Sequence, residues 1–510
     1  MGRKAVATIV SLWVIPISIL VNQIVSDPYM DEIFHIPQAQ KYCKGNFFSW
    51  DPMITTPPGL YFVSLAHVAC LFPGMFLVQF VSLFSEACST AILRSTNGVL
   101  AVLCSIVVYE IITHLRPTLD ERKASFLAVI LALYPLHWFF TFLYYTDVAS
   151  LTAVLAMYLA CLKKKYHFSA LLGAFAVFIR QTNVIWMVFV ACSGIIDFTL
   201  NNQTKNLKVD VLIESGKEIG DLIPYNSVTT GSNMRRRKPS RAVDPSKYLK
   251  TTMNSSSRTD STGLLDEIQE ICLISCRMKW RFFLSFSPFF IVLVAFAAFV
   301  KWNGSVVLGA KEAHAVSLHF AQVMYFSLIS TMAAAPLHFS LSRGADMFQS
   351  FWKSRVLSFC QWVVALSAGF ISAHFFSIAH PYLLADNRHY PFYLWRKVIK
   401  AHWLMKYLLV PFYIYSWFSI LSILGKSRQK MWVLAFFLAT AAVLVPAPLV
   451  EFRYYTIPFY FLMLHSNISD NQSLILMGLT YFVINSFTMM MFLFRPFYWS
   501  HETGVQRFIW

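Results

Sequence analysis

A chain of 510 residues that is 57% hydrophobic and only 13% charged does not belong to a soluble globular protein, whose interior is too small to hide that much apolar surface. The 42 Lys and Arg against 25 Asp and Glu leave a formal charge of +17, yet the basic residues fall in short connections between apolar runs. That is a pattern of membrane orientation and not of a nucleic-acid-binding face. Repeated apolar runs of about 17 to 22 residues, the length that crosses a bilayer core of about 30 Å, define an all-α polytopic membrane protein with about 12 or 13 spans.

Residues 5–25 form the first span. Arg3 and Lys4 precede it and no small-residue cleavage site follows, which predicts a signal anchor with a cytosolic N-terminus. The stretch "PYMDEIFHIPQAQKYCKGNFFSWDPMITTPPGLY" (28–61) therefore opens a long first lumenal loop, 26–96. Parity requires residues 60–93 to cross twice or not at all; their small and polar residues, with Glu86 and Arg94, fit re-entrant or interfacial helices. Cys43 and Cys88 pair if both face an oxidising lumen.

"HLRPTLDERK" (114–123) and Lys163 to Lys165 read as cytosolic. Between them, apolar segments 124–142 and 149–162 carry Asp147 of "LYYTDVAS" to the lumenal side, and segments 168–179 and 184–200 do the same for Arg180 of "RQTN". This N-terminal transmembrane region covers 1–200 and is followed by a polar stretch, 201–280, containing "MRRRKPSR". Its composition predicts a largely disordered, basic cytosolic loop. The sequons at Asn202 and Asn254 are then on the wrong side for glycosylation, whereas Asn303 is lumenal. Cys272 and Cys276 of "CLISC" lie one helical turn apart and read as packing residues. The C-terminal transmembrane region, 281–510, has spans near 283–300, 320–341, 356–379, 403–424 and 431–448.

Charge collects on the lumenal side against the orientation rule, at Arg180, in "HPYLLADNRHYPFYLWRK" (380–397) and in "EFRYY" (451–455). These arginines either pair with lumenal acids or lipid headgroups, or bind phosphate, to which a guanidinium offers a planar fork of donors. The acids Asp31, Glu32, Asp147, Glu312, Asp386 and Glu451 gather on the same side. The span centres carry almost no ionisable residues, whereas an ion-coupled transporter places them at the midplane. An enzyme acting on an amphiphilic substrate fits better. Transfer from a polyprenyl-phosphate sugar needs no general acid, because phosphate leaves readily, and needs one carboxylate to take the proton of the attacking hydroxyl. A single displacement uses one essential base, unlike the paired acids of retaining glycosidases. Asp31, a few residues past the first span, is placed for that role; Glu32 is its neighbour and His35 lies one helical turn on.

"PYMDEIFHIPQAQKYC", "WDPMITTPPGLY", "LYYTDVAS", "RQTNVIW", "HPYLLADNRHYPFYLW" and "EFRYYTIP" together resemble the dolichyl-phosphate-glucose-dependent α-1,2-glucosyltransferases, plant members most closely. The resemblance runs from the first residue to "QRFIW". It implies a GT-C fold in the endoplasmic reticulum membrane with a lumenal site. Dolichyl phosphate glucose would be the donor, the diglucosylated dolichol-pyrophosphate-linked oligosaccharide of N-glycosylation the acceptor, and the transfer inverting. Asp31 matches the family's first-loop acid and is the expected general base, with Glu32 beside it. Arg388, His389 and Arg453 are assigned to the donor phosphate, and Asp147 and Asp386 to acceptor hydroxyls. His35, Trp50, Arg94, Arg180, Glu451 and Tyr454 complete the expected substrate-binding set. Some relatives carry an acid where this chain has Ala310 in "VLGAKEAH"; Glu312 and His314 are nearby spare candidates.

Structural readings stand beside these. Asp31 suits the N-terminus of a helix through "EIFHIPQAQ". His35 reads as a hydrogen-bonding residue rather than a metal ligand. "WDPMITTPP" reads as a rigid loop, or its Trp50 stacks on a sugar ring. No His/Asp cluster has metal-ligand spacing, so neither metal nor cofactor is expected. Residues alone leave open a related transferase using dolichyl phosphate mannose, and a transporter or non-catalytic membrane subunit.

Overall fold

A computed structural model describes residues 1–73, 87–200, 263–312, 316–353, 355–468, 470–500 and 504–510. Expectations for Glu86, His314 and residues 201–262, with the sequons at Asn202 and Asn254, fall outside the described residues. The chain forms two compact units, one of Met1–Cys192 with Phe283–Trp510 and one of Ser193–Phe282. In the second, Leu264–Arg277 is a helix within the stretch expected to be largely disordered. The backbone N–H of Gly263 donates to Asp266 at 2.8 Å, and Asp266 and Glu267 in the first turn with Arg277 in the last complement the helix dipole.

Among the described residues of the first unit, regular structure is helical apart from an antiparallel ribbon of Phe497–Tyr498 with Val505–Gln506 and an isolated bridge between His389 and Ile509. Among the described residues seven helices are long and apolar enough to cross a membrane: Gly2–Ile24, Thr90–Leu115, Asn183–Leu200, Lys279–Asn303, Arg355–Phe375, Met405–Ser427 and Asn471–Phe494. A helix satisfies its own backbone, which is what hydrocarbon demands. Leu12, Ile15 and Ile19 on the first helix, and Leu476, Leu479 and Phe487 on the last, are exposed, as side chains facing lipid are.

The count is lower than the 12 or 13 expected because several apolar segments are short or broken. Gly59–Leu71, Thr146–Leu162, Tyr166–Ile179 and Lys430–Leu444 are apolar but short. The expected span 124–142 is two helices, Glu121–Ala132 and Pro135–Phe140, because Pro135 cannot continue a helix from the residues before it. The expected span 320–341 breaks after Ala333 and turns by 97°.

Aromatic packing closes the middle of the bundle. Tyr134 stacks on Phe459 at 4.2 Å, the Tyr460 hydroxyl donates to Leu131 O at 2.6 Å, and Asn485 donates to Leu133 O at 2.8 Å. The carbonyls freed at the Pro135 break thus find donors on two neighbouring helices.

The first loop folds back over one end of the bundle. Helix Glu32–Cys43 is tied by a Cys43–Cys88 disulfide, Cα atoms 6.6 Å apart, to the segment that precedes Thr90–Leu115. Gly309 lies flat on this loop. A Cβ there would collide with the Pro52 carbonyl, and Leu308 and Ala310 donate backbone N–H groups to Thr55 O and Pro52 O. The Asn303 amide is turned into its own chain, donating to Ser305 O and Val307 O at 2.8 Å each.

Candidate active site

Met30 adopts a left-handed φ of 56°, uncommon for a side chain of its size. That turn redirects the chain after the first span and leaves Asp31 at the position preceding helix Glu32–Cys43. The Asp31 carboxylate makes no helix-capping bond, contrary to the structural reading of that residue. Its Oδ2 accepts from Arg453 Nη1 at 3.0 Å, its backbone N–H donates to the Tyr145 hydroxyl at 3.2 Å, and its side chain stays 42% exposed.

Arg453 reaches this point from a 3-10 turn, Phe452–Tyr455. Its Nη2 donates to Glu451 Oε1 at 3.0 Å and its Nε to Glu451 Oε2. Nη1 also lies 3.8 Å from Asp147 Oδ2, and the guanidinium sits over the Tyr145 ring. Asp147 passes the network on: its Oδ1 accepts from Arg180 Nη1 at 2.7 Å, and Arg180 lies over Tyr454. Across the opening, Arg388 grips Asp386 through Nε at 2.9 Å and Nη2 at 2.8 Å, and its Nη1 donates to Gln506 at 2.9 Å. His389 Nε2 lies 3.7 Å from Asp386, and its Nδ1 lies 3.2 Å from Trp510 O.

These groups surround a cavity of about 380 Å³ lined by Asp31, His35, Asp386, Arg388, His389, Glu451 and Arg453, with Met53, Ala310 and Trp510 among its apolar wall. Burial pushes the Asp31 carboxyl up, but the positive charge around it, Arg453's foremost, outweighs burial and holds the acid below its ordinary value. Burial likewise raises Glu451 and Asp386, and Arg453 and Arg388 respectively bring each of them below its ordinary value. His35 shifts the other way. Burial lowers it more than Asp31 raises it, so it is neutral at pH 7. Its Nδ1 meets the Tyr61 hydroxyl at 2.6 Å. An ionised, partly exposed carboxylate thus faces a cavity rimmed by arginines and imidazoles.

Several expected residues are placed elsewhere. Glu32 is 0% exposed and accepts from Tyr29 N at 3.0 Å, Tyr144 N at 2.6 Å, Arg94 Nε at 2.8 Å and Arg94 Nη2 at 2.6 Å. All five N–H donors of Arg94 are engaged, the remaining ones by Asn22, Val25 O and Asp27 O. Glu32 and Arg94 therefore form a closed internal pair rather than a surface for substrate. Trp50 packs edge-on against Tyr61 and does not line the cavity. Asp147, Arg180 and Tyr454 stand behind the wall and connect to it through Arg453. Glu312 is exposed and outside the lining.

Reading the residues missed Tyr145, Gln506 and Trp510. Tyr145 lies in the quoted "LYYTDVAS", and an aromatic beside an isolated lumenal acid was the available signal. Nothing local marks Gln506 or Trp510, which the tail brings back by pairing Ile509 N with Arg388 O at 2.9 Å and Tyr390 N with Ile509 O at 3.2 Å. Among the described residues no group of three His, Cys, Asp or Glu side chains could hold a metal ion.

Fold and site together define a multi-pass helical membrane protein with a carboxylate- and arginine-lined cavity at one end of its bundle. The chain belongs to the DIE2/ALG10 family, whose model matches residues 25–464. It is 61% identical, over the whole of both chains, to an Arabidopsis thaliana protein named Dol-P-Glc:Glc(2)Man(9)GlcNAc(2)-PP-Dol alpha-1,2-glucosyltransferase. Proteins of the same name from Mus musculus and Homo sapiens are 33% and 34% identical, each over 95% of this chain and 93% of the relative. No solved structure matches the chain.

Proposed function

We propose that the chain is a dolichyl-phosphate-glucose-dependent α-1,2-glucosyltransferase of GT-C type. It moves glucose from dolichyl phosphate glucose to the diglucosylated dolichol-pyrophosphate-linked oligosaccharide, at the lumenal face of the endoplasmic reticulum membrane. The observation that carries the reading is the ionised Asp31 on the rim of a cavity shared with Arg453, Arg388 and His389, in a chain 61% identical to a relative of that name.

Asp31 takes the proton of the acceptor hydroxyl as its oxygen bonds to the anomeric carbon. The bond from that carbon to the phosphate oxygen breaks, and its electron pair leaves on dolichyl phosphate. One displacement from the face opposite the phosphate inverts the centre. Arg388, His389 and Arg453 meet the developing phosphate charge, and because Asp386 and Glu451 already hold both arginines, little reorganisation is needed. Asp147, Arg180 and Tyr454 keep Arg453 in place.

The lumenal assignment is supported by the Cys43–Cys88 disulfide, which belongs in an oxidising compartment. Use of a lipid donor is supported by an apolar groove of about 720 Å³ among Ala321–Ala333, Arg355–Phe375, Val410–Ser427 and Lys430–Leu444. Val445 of that groove and Leu449 of the cavity belong to one short connection.

The test is transfer by purified protein in detergent, supplied with dolichyl phosphate glucose and the diglucosylated acceptor, comparing wild type with Asp31→Asn. Gain of a hexose by wild type alone, with both proteins equally folded, is the expected result. An active Asp31→Asn moves the base elsewhere, and transfer from dolichyl phosphate mannose in place of the glucose donor overturns the donor assignment.

A further inference from the structure

The helix Ala321–Ala333 starts at the cavity end, where Gln322 Nε2 donates to Ala447 O at 3.1 Å and Leu449 O at 2.7 Å. It breaks before crossing fully, and the chain leaves at 97°. The far end of the bundle is fixed independently. Helix Thr90–Leu115 is 26 residues, about 39 Å of rise, and carries Arg116 from the first-loop side to Leu464 O. Ser427 donates to His465 O at that same far end, and its neighbour Lys426 pairs with Asp346 at 3.4 Å. Helix Leu341–Lys353 therefore lies across the bundle axis at the level of the membrane face remote from the cavity.

Its sequence suits that position. Leu341, Ala345, Phe348 and Trp352 recur at helical spacing and form one stripe. Leu341 is 96%, Phe348 67% and Trp352 57% exposed. Phe348 stacks on Trp352, and Arg355 lies over Trp352 at 4.2 Å. Ser342 and Gln349, off the stripe, are exposed polar residues. An aromatic apolar stripe flanked by cations, on a segment turned 97° from the helix before it, is the build of an interfacial helix.

The elbow supplies a second, independent observation. His338 is 0% exposed, its Nδ1 meets the Ser419 hydroxyl at 2.8 Å, and its Nε2 is buried without a partner among the described residues. Arg343 Nη1, on the next turn of chain, is buried and unpartnered in the same way, although the residue as a whole remains partly open. The first turn of Leu341–Lys353 contains no acid, so the positive end of the helix adds to the charge of Arg343 instead of offsetting it. Asp346, the acid of this helix, is paired with Lys426. A guanidinium in that setting calls for an anion with oxygen acceptors.

We infer that the His338–Arg343 elbow and helix Leu341–Lys353 form a binding site for an anionic phospholipid of the leaflet remote from the cavity. Arg343 takes the headgroup phosphate, His338 assists, and the acyl chains lie along the Leu341–Phe348–Trp352 stripe. The stripe selects a lipid over a soluble phosphate, since a free anion has no use for it. The bound lipid also bears on the proposed donor groove, because this helix joins Ala321–Ala333 to Arg355–Phe375 and both line it.

The test uses full-length protein in phosphatidylcholine nanodiscs doped with phosphatidylinositol, followed by native mass spectrometry of the retained lipid. Wild type should hold phosphatidylinositol about tenfold more tightly than Arg343→Gln, the loss of a charged hydrogen bond, and Arg343→Lys should fall between. Equal retention by wild type and Arg343→Gln overturns the site, and displacement by excess inorganic phosphate overturns the lipid in favour of a soluble anion. Should Arg343→Gln not fold, nitroxides at exposed positions decide the surface. Labels at 341, 348 and 352 should be oxygen-accessible and those at 342 and 349 accessible to a water-soluble nickel chelate, whereas uniform water exposure sinks the proposal.

Discussion

Asp31 and Glu32 are adjacent acids, each paired with an arginine, and the two pairs behave oppositely. Glu32 and Arg94 are sealed, with exposures of 0% and 1% for their side chains, and every donor of Arg94 is matched. Asp31 and Arg453 meet at 3.0 Å on the cavity rim with the carboxylate 42% exposed. Successive helical residues point about 100° apart, so one acid faces the bundle and the other the cavity. The sealed pair holds the loop; the open pair retains a lone pair for a proton. Identical chemistry one residue apart is sealed or open according to what covers it.

Four experiments break or sharpen that contrast. Asp31→Asn should lower turnover by about 10²- to 10⁴-fold while moving the thermal unfolding midpoint in detergent only slightly, by the loss of one partly exposed ion pair. A parallel fall in that midpoint would mean that Asp31, too, is structural. Arg94→Met should do the reverse: about 3–5 kcal/mol of stability lost from an uncompensated buried carboxylate, seen as a lowered unfolding midpoint or loss of folded protein. The contrast fails if the variant folds normally and only its activity falls.

Replacing both Cys43 and Cys88 by Ala should cost about 2–4 kcal/mol, read as a lower unfolding midpoint that reductant reproduces in the wild type. No response to reductant would mean that the first loop does not depend on its tie. The smallest effect is on pH dependence. The positive charge around Asp31, Arg453's foremost, outweighs burial to hold it ionised below its ordinary value, so the acid limb of kcat/KM should fall below the usual carboxylate range. In Arg453→Gln that limb should move to higher pH, because the largest influence opposing burial is then gone; an unmoved limb would assign it to another group. The sign for stability is the same. The Asp31–Arg453 attraction is present above the unfolded carboxylate value and is lost as pH falls through the depressed one.

Membrane class and helical content were legible in the chain alone, because a bilayer imposes length and polarity on every segment. The Arg388 and Arg453 segments stood out by breaking the charge rule and the first loop by its adjacent acids, and tertiary contacts bring all three to one cavity. Asp31 was the expected base with Glu32 kept beside it, since two neighbouring carboxylates carry no local mark of which will be covered. Arg94 was placed among the substrate-binding residues because its partners Asn22, Val25, Asp27 and Glu32 lie about 60 to 70 residues earlier in the chain and leave no local mark. The bend after Ala333 was hidden for a related reason: an apolar run of spanning length gives no sign that it turns.

The one-dimensional pattern of apolar and charged residues thus determined that this chain crosses a membrane repeatedly and gathers acids and arginines at one face. Solvation acts on each segment separately, so it can be read segment by segment. Which acid stays open, which arginine is consumed inside, and how Gln506 and Trp510 come back beside Arg388 were decided by tertiary structure. Those outcomes depend on burial and on partners far apart in the chain, and only the closed bundle supplies either.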